Sequence, residues 1–133
     1  MSDPAKESNH PTVLLIEDNP NNARLMTRVL ERDQYKVLHA QDGETGLMMA
    51  LSMNPDIILL DLGLPDVDGQ TIAAFLKQTP DLPTIPLIIV TAWPAETARE
   101  MVAAYGCQGF IAKPIDTREF SQQVGSYLAG LSR

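Results

Sequence analysis

Pro55-Asp-Ile-Ile-Leu-Leu-Asp61-Leu-Gly-Leu-Pro65-Asp-Val-Asp68-Gly69 is the stretch from which the fold can be read. Ile57 to Leu60 are consecutive apolar residues, the pattern of a strand covered on both faces, as in a parallel sheet between helices. Asp61 follows at once, so a carboxylate stands where the strand meets solvent. In open α/β sheets, ligands bind outside the carboxyl ends of the strands. Aspartate is also common wherever a strand gives way to a loop. The meaning of Asp61 therefore depends on what other strands bring to the same rim.

Working outward, Val13–Ile16 and Leu87–Val90 are two more fully apolar strands, ending in Glu17-Asp18 and in Thr91. Tyr35–His39 has mixed patterning, which suits an edge strand, and Gly109–Pro114 is a short strand ending in Lys113. Helical spacing fills the gaps. Pro20 opens a helix over residues 20–33 with Met26, Val29, Leu30 and Asp33 on one stripe, Arg24 and Arg28 outside. Residues 44–53 place Leu47, Ala50 and Leu51 inward. A helix capped by Asp68 carries Ile72, Phe75 and Leu76 on one side. Pro94 opens another with Ala98, Met101, Val102 and Tyr105, stopped at Gly106. The last begins near Thr117 and turns Phe120, Val124, Tyr127, Leu128 and Leu131 inward, tolerating Gly125 at about 1 kcal/mol against alanine. Strand and helix alternate five times, which predicts an α/β fold with a doubly wound five-stranded parallel sheet.

The 133 residues suit one domain, expected over residues 12–133 behind a flexible polar tail at 1–11. A net charge of −7 and a pI near 4.6 speak against nucleic acid as the main partner. Cys107 stands alone, so no internal disulfide is possible and a reducing compartment fits. No apolar run approaches the ~18 residues that would span a bilayer. A cytoplasmic protein without a membrane partner is expected.

Four strands thus end in Glu17-Asp18, Asp61, Thr91 and Lys113, and a parallel sheet puts all four ends on one rim. Each residue alone has a plain structural use; their convergence is what points to chemistry. Three carboxylates brought together without a cation would repel and raise one another's pKa. A hard divalent ion such as Mg²⁺ relieves that, taking carboxylates and waters in octahedral geometry, and Mn²⁺ can substitute. The lysine balances further negative charge and the threonine hydroxyl can donate to an oxyanion. The pattern predicts a phosphoryl site with an aspartate nucleophile.

With these residues in view, the chain resembles a two-component response-regulator receiver domain over residues 12–131. The resemblance rests on Glu17-Asp18, on Asp61 in Asp-Leu-Gly-Leu-Pro65, on Thr91-Ala92 and on Lys113-Pro114. It implies a flavodoxin-like (βα)5 fold with strand order 2-1-3-4-5. It implies that Asp61 accepts phosphate from a phosphohistidine on a histidine kinase or histidine phosphotransfer protein. Asp18, Asp61 and the Gly63 carbonyl would hold Mg²⁺, with Glu17 acting through water. The Lys113–Pro114 bond would be cis. Thr91 and an aromatic three residues before the lysine, here Phe110, would form the switch. Leu25 on the first helix and Ile115 after the Lys-Pro pair would dock the phosphodonor. Such a protein catalyses its own phosphorylation and dephosphorylation and is not a conventional enzyme.

Other readings fit less well. Asp66-Val-Asp68-Gly69 resembles part of a calcium loop, but Leu64 and Phe75 stand where acids are needed. No glycine-rich cradle follows the first strand, against FMN or a nucleoside triphosphate. A dehalogenase-like phosphatase would need an acid at Gly63, and His39 alone makes a poor phosphocarrier. The last helix ends near the chain's end, so the expected output is partner binding or onward transfer by a stand-alone receiver, a monomer or weak dimer, with the output protein unspecified. The alternatives are a receiver piece of a hybrid histidine kinase and an interaction module that never takes phosphate. Trp93, in a turn beside Thr91, is expected to be partly exposed at the mouth of the site.

Overall fold

A computed structural model describes residues 10–62, 69–78 and 85–131. Gly63, the Asp66–Asp68 segment with its helix cap, and most of the expected tail lie outside the described residues, as does the side chain of Leu131. The elements run β1 (Thr12–Ile16), α1 (Pro20–Arg32), β2 (Lys36–Ala40), α2 (Gly43–Met53), β3 (Ile57–Asp61), α3 (Gly69–Gln78), β4 (Leu87–Thr91), α4 (Ala95–Tyr105), β5 (Gly109–Ala112) and α5 (Phe120–Leu131). The strands form one parallel sheet in the order β2-β1-β3-β4-β5, so the mixed-pattern strand is indeed at an edge.

The apolar runs bury both faces by the two-residue period of a strand. Val13, Leu15, Ile57, Leu59, Ile88, Val90 and Ile111 face α1 and α5. Leu14, Ile16, Ile58, Leu60 and Leu87 face the other way, against Ala50 of α2 and Ile72, Ala73 and Leu76 of α3. Local chemistry sets the ends of the helices. Asn19 accepts the Asn21 and Asn22 N–H groups at 2.9 and 3.0 Å to cap α1, and Asp42 takes Thr45 N–H at 2.8 Å to cap α2. Asn54 and Gly106 end α2 and α4 in the left-handed region.

Four sequence expectations need correction. Leu51 is 52% exposed, not inward. The face of α2 that meets the sheet is the small stripe Gly43, Gly46 and Ala50. A Cβ on Gly46 would lie 2.5 Å from Ile16 Cδ1, so this close approach sets the rotation of the helix. At ~100° per residue, Leu51 falls well off that stripe, and Met48 and Met53 are exposed as well. Phe75 is 40% exposed because Ala73, not Phe75, completes the buried stripe with Ile72 and Leu76. Asp33 lies beyond the buried stripe of α1 as its C-cap, and its place there is taken by Ala23. It accepts a hydrogen bond from the Ser121 hydroxyl. The last helix begins at Phe120, not near Thr117; residues 117–119 form a turn, closed by Phe120 N–H on the Asp116 carbonyl at 2.9 Å. Gly125 also has a local reason, since a Cβ there would meet the Tyr35 hydroxyl at 2.9 Å.

Candidate functional site

Strand register builds the site. Ile16 pairs with Leu60, so Glu17 comes level with Asp61; Asp61 pairs with Val90, and Thr91 with Ala112, one residue before Lys113. The Lys113 N–H donates to the Thr91 carbonyl at 2.8 Å, which ties the lysine to the end of β4. Its side chain reaches across β4 and donates to Asp61 Oδ1 at 3.0 Å, and lies 3.4 Å from Glu17 Oε1. The Lys113–Pro114 peptide is cis.

Glu17, Asp18 and Asp61 each offer a carboxylate oxygen, and these oxygens lie within 4.8 Å of one another. Glu17 and Asp61 are buried and Asp18 is exposed, so the cluster opens to solvent on one side. Burial, then the charge of Asp61, raises the Glu17 pKa, while Lys113 and the Asn19 N–H at 3.2 Å pull it down. For Lys113, burial opposes the charged form. The hydrogen bond and charge of Asp61, followed by those of Glu17, outweigh it and hold the ammonium above its usual value. Among the described residues, Glu17 Oε1 is buried without a hydrogen bond. A buried carboxylate oxygen with only the Lys113 ammonium beside it at 3.4 Å, facing two further acids, all hard oxygen donors, fits a small divalent cation.

Thr91 is buried, and its hydroxyl oxygen accepts the Trp93 N–H at 3.1 Å. Trp93 itself is 54% exposed, as its turn position predicts. Phe110 is half-buried in β5, in register with Ile89, and its carbonyl accepts the Tyr127 hydroxyl at 3.2 Å. Leu25 and Ile115 border the same space. They line a hollow of about 320 Å³ together with Asn22, Met26, Ala92, Lys113 and Pro114. The hollow thus runs from the outer face of α1 to the lysine of the acidic site.

Sequence reasoning missed two supporting residues. Asn19 both caps α1 and holds Glu17 Oε2 through its N–H, and the Asn-Pro pair after two acids was the available signal. His39 Nε2 lies 2.8 Å from the Glu17 carbonyl oxygen, a contact that nothing in the local sequence announces.

Comparison with known proteins follows the same lines. The response regulator receiver domain family is matched over residues 13–125. The polar-differentiation response regulator DivK of Brucella ovis is 34% identical over 117 residues, covering 88% of this chain and 95% of that protein. The signal receiver domain of a signal transduction histidine kinase from Syntrophus aciditrophicus superposes with a TM-score of 0.82 at 29% identity, over 92% of this chain and 93% of that one. The receiver domain of a sensor histidine kinase from Pseudomonas aeruginosa, which has a magnesium ion coordinated in its active-site cleft, gives 0.82 at 27% identity over 90% and 98%.

Proposed function

The chain belongs to the response regulator receiver domain family and acts as a phosphoreceiver in two-component signalling, and from that premise we propose that Asp61 is the residue that takes the phosphoryl group. The donor is a phosphohistidine on a histidine kinase or a histidine phosphotransfer protein. The observation that carries the assignment is Asp61 at the centre of the rim, within reach of two further carboxylates and bonded to Lys113 at 3.0 Å.

An Asp61 oxygen attacks phosphorus in line. The new O–P bond forms as the P–N bond to the donor imidazole breaks, and the electron pair leaves with that nitrogen, which takes up a proton. The transition state is loose, so positioning and charge balance do most of the work. Lys113 offsets charge on the transferring oxygens. Glu17, Asp18 and Asp61 would hold Mg²⁺, or Mn²⁺ in its place, with the Gly63 carbonyl as a further ligand; when bound, the ion supplies positive charge against the phosphoryl oxygens. After transfer, the Thr91 hydroxyl moves to donate its proton to a phosphoryl oxygen, and Phe110 follows toward the space it leaves. Phe110 has no hydroxyl, so this switch works by packing alone. The acyl phosphate hydrolyses in time, and the protein returns to its resting state without a separate enzyme.

The hollow lined by Leu25 and Ile115 is where the donor docks, since it joins an apolar surface to the attacking site. Two measurements test these assignments. Acetyl phosphate or phosphoramidate with Mg²⁺ should add one phosphoryl group by intact-protein mass, and Asp61→Asn should not be labelled. Labelling of Asp61→Asn at the wild-type rate would overturn the acceptor assignment. Leu25→Ala should slow transfer from a phosphohistidine donor about tenfold, roughly 1.4 kcal/mol in the barrier, and leave acetyl phosphate labelling unchanged. Equal loss with both donors would make Leu25 a packing residue only.

A further inference from the structure

We infer that His39 is a positioning residue for the divalent-cation site, acting through the main chain of Glu17 and Asp18. The inference rests on the reading of Glu17, Asp18 and Asp61 as that site, and it begins with an unfinished rung of the sheet. In a parallel ladder, the N–H and C=O of one residue point to the same neighbouring strand. Glu17 N–H donates to the Ala40 carbonyl at 3.0 Å, so its own carbonyl also faces β2. The next donor in that ladder would be the Asp42 N–H. But β2 ends at Ala40, and Asp42 turns away to cap α2. The Glu17 carbonyl is left without its main-chain partner, and the His39 ring takes the place, with Nε2 at 2.8 Å. A carbonyl only accepts, so Nε2 carries the proton.

This bond matters because the Glu17 carbonyl belongs to the peptide plane that joins Glu17 to Asp18. Rotation of that plane swings the Asp18 backbone and with it the direction of its carboxylate. Among the described residues the Asp18 side chain makes no hydrogen bond that would fix it independently. Glu17 is held by its N–H on Ala40 and by Asn19 N–H on Oε2. The far side of the turn is anchored where Asn19 caps α1. Among the described residues, the Glu17–Asp18 peptide is the joint between these anchors that they do not themselves hold, and His39 closes it. Groups that orient ligands in this way typically change metal affinity by about 10- to 100-fold when removed.

The test is Mg²⁺ affinity of the full chain, measured by calorimetric titration of metal-free protein and by Trp93 emission. His39→Leu, which keeps bulk but donates nothing, should raise the Mg²⁺ Kd about tenfold. His39→Gln, whose amide nitrogen reaches about as far as the imidazole nitrogen, should restore the Kd close to wild type. His39→Ala provides a second donor-free variant if the leucine form does not fold, and thermal melts of metal-free protein confirm which variants are folded. Donor-free variants that bind Mg²⁺ as the wild type does would overturn the inference. So would a folded His39→Gln as weak as His39→Leu. A wild-type protein that takes up no Mg²⁺ would instead overturn the reading of the acidic cluster itself.

Discussion

At the scale of single residues, the site is built against stability. Glu17 is 1% exposed, has an oxygen with no hydrogen bond among the described residues, and is pushed toward protonation chiefly by burial and then by the charge of Asp61. A carboxyl whose folded pKa is raised contributes its stability below its unfolded value, near 4.5, and loses it as pH rises through the folded value. At neutral pH Glu17 therefore contributes less stability than it does in acid. Glu17→Gln should raise the melting temperature of the metal-free protein at pH 7 by roughly 3–5 °C, on the order of 1 kcal/mol, and erase that advantage at pH 4. The same variant should lose most of the stabilisation that saturating Mg²⁺ gives the wild type. Melts at the two pH values, with and without Mg²⁺, check all three; a lower melting temperature for metal-free Glu17→Gln at pH 7 would mean that the ion pair with Lys113 outweighs desolvation. Asp33 works in the opposite direction. The Ser121 hydroxyl and then Arg32 lower its pKa, so its tie between α1 and α5 is present above pH 3.8 and fades as pH falls through its folded value.

At the scale of elements, the sequence was clear wherever apolar runs were continuous and ambiguous wherever a helix met the sheet through small residues. Val13–Ile16, Ile57–Leu60 and Leu87–Val90 admit one reading, and the polar residues after them fall on one rim as that reading requires. α2 does not. Its leucines and methionines suggest an inward face, and Leu47 and Met49 do pack partly buried against that core, but the fully buried stripe is Gly43, Gly46 and Ala50, with the backbone at Gly46 close against Ile16. Hydrophobicity alone could not show this, since glycine carries no apolar signal. Gly46→Ala should destabilise by about 1–3 kcal/mol despite its better helix propensity, because the new methyl meets the buried Ile16 side chain. Ile16→Val, which removes the Cδ1 atom concerned, should recover part of that loss in the double variant. A denaturant-unfolding double-mutant cycle with no coupling between the two positions would show that α2 adjusts without touching Ile16. His39 was hidden for a related reason: its partner is a main-chain carbonyl exposed by where a strand stops, which is a property of register and not of residue type.

For the molecule as a whole, residues 17, 18, 61, 91 and 113 stand at the ends of four different strands or just beyond them, so the site exists only once those strands are together. Among the described residues, no helix is long and apolar enough to cross a membrane. The apolar side chains that α2 turns to solvent add a property of a different kind. Met48 and Met53 are exposed thioethers, whereas Met26 is sealed between α1 and the sheet. Under dilute hydrogen peroxide, Met48 and Met53 should become sulfoxides within the first phase of reaction, with little effect on the fold because their new polarity already faces water. Met26 should oxidise only when the chain opens globally, and peptide mass mapping would follow both classes in one sample. Met26 oxidising alongside Met48 would contradict its burial. The surface methionines of α2 would then take oxidant first and leave the interior sulfur as a slow clock of unfolding.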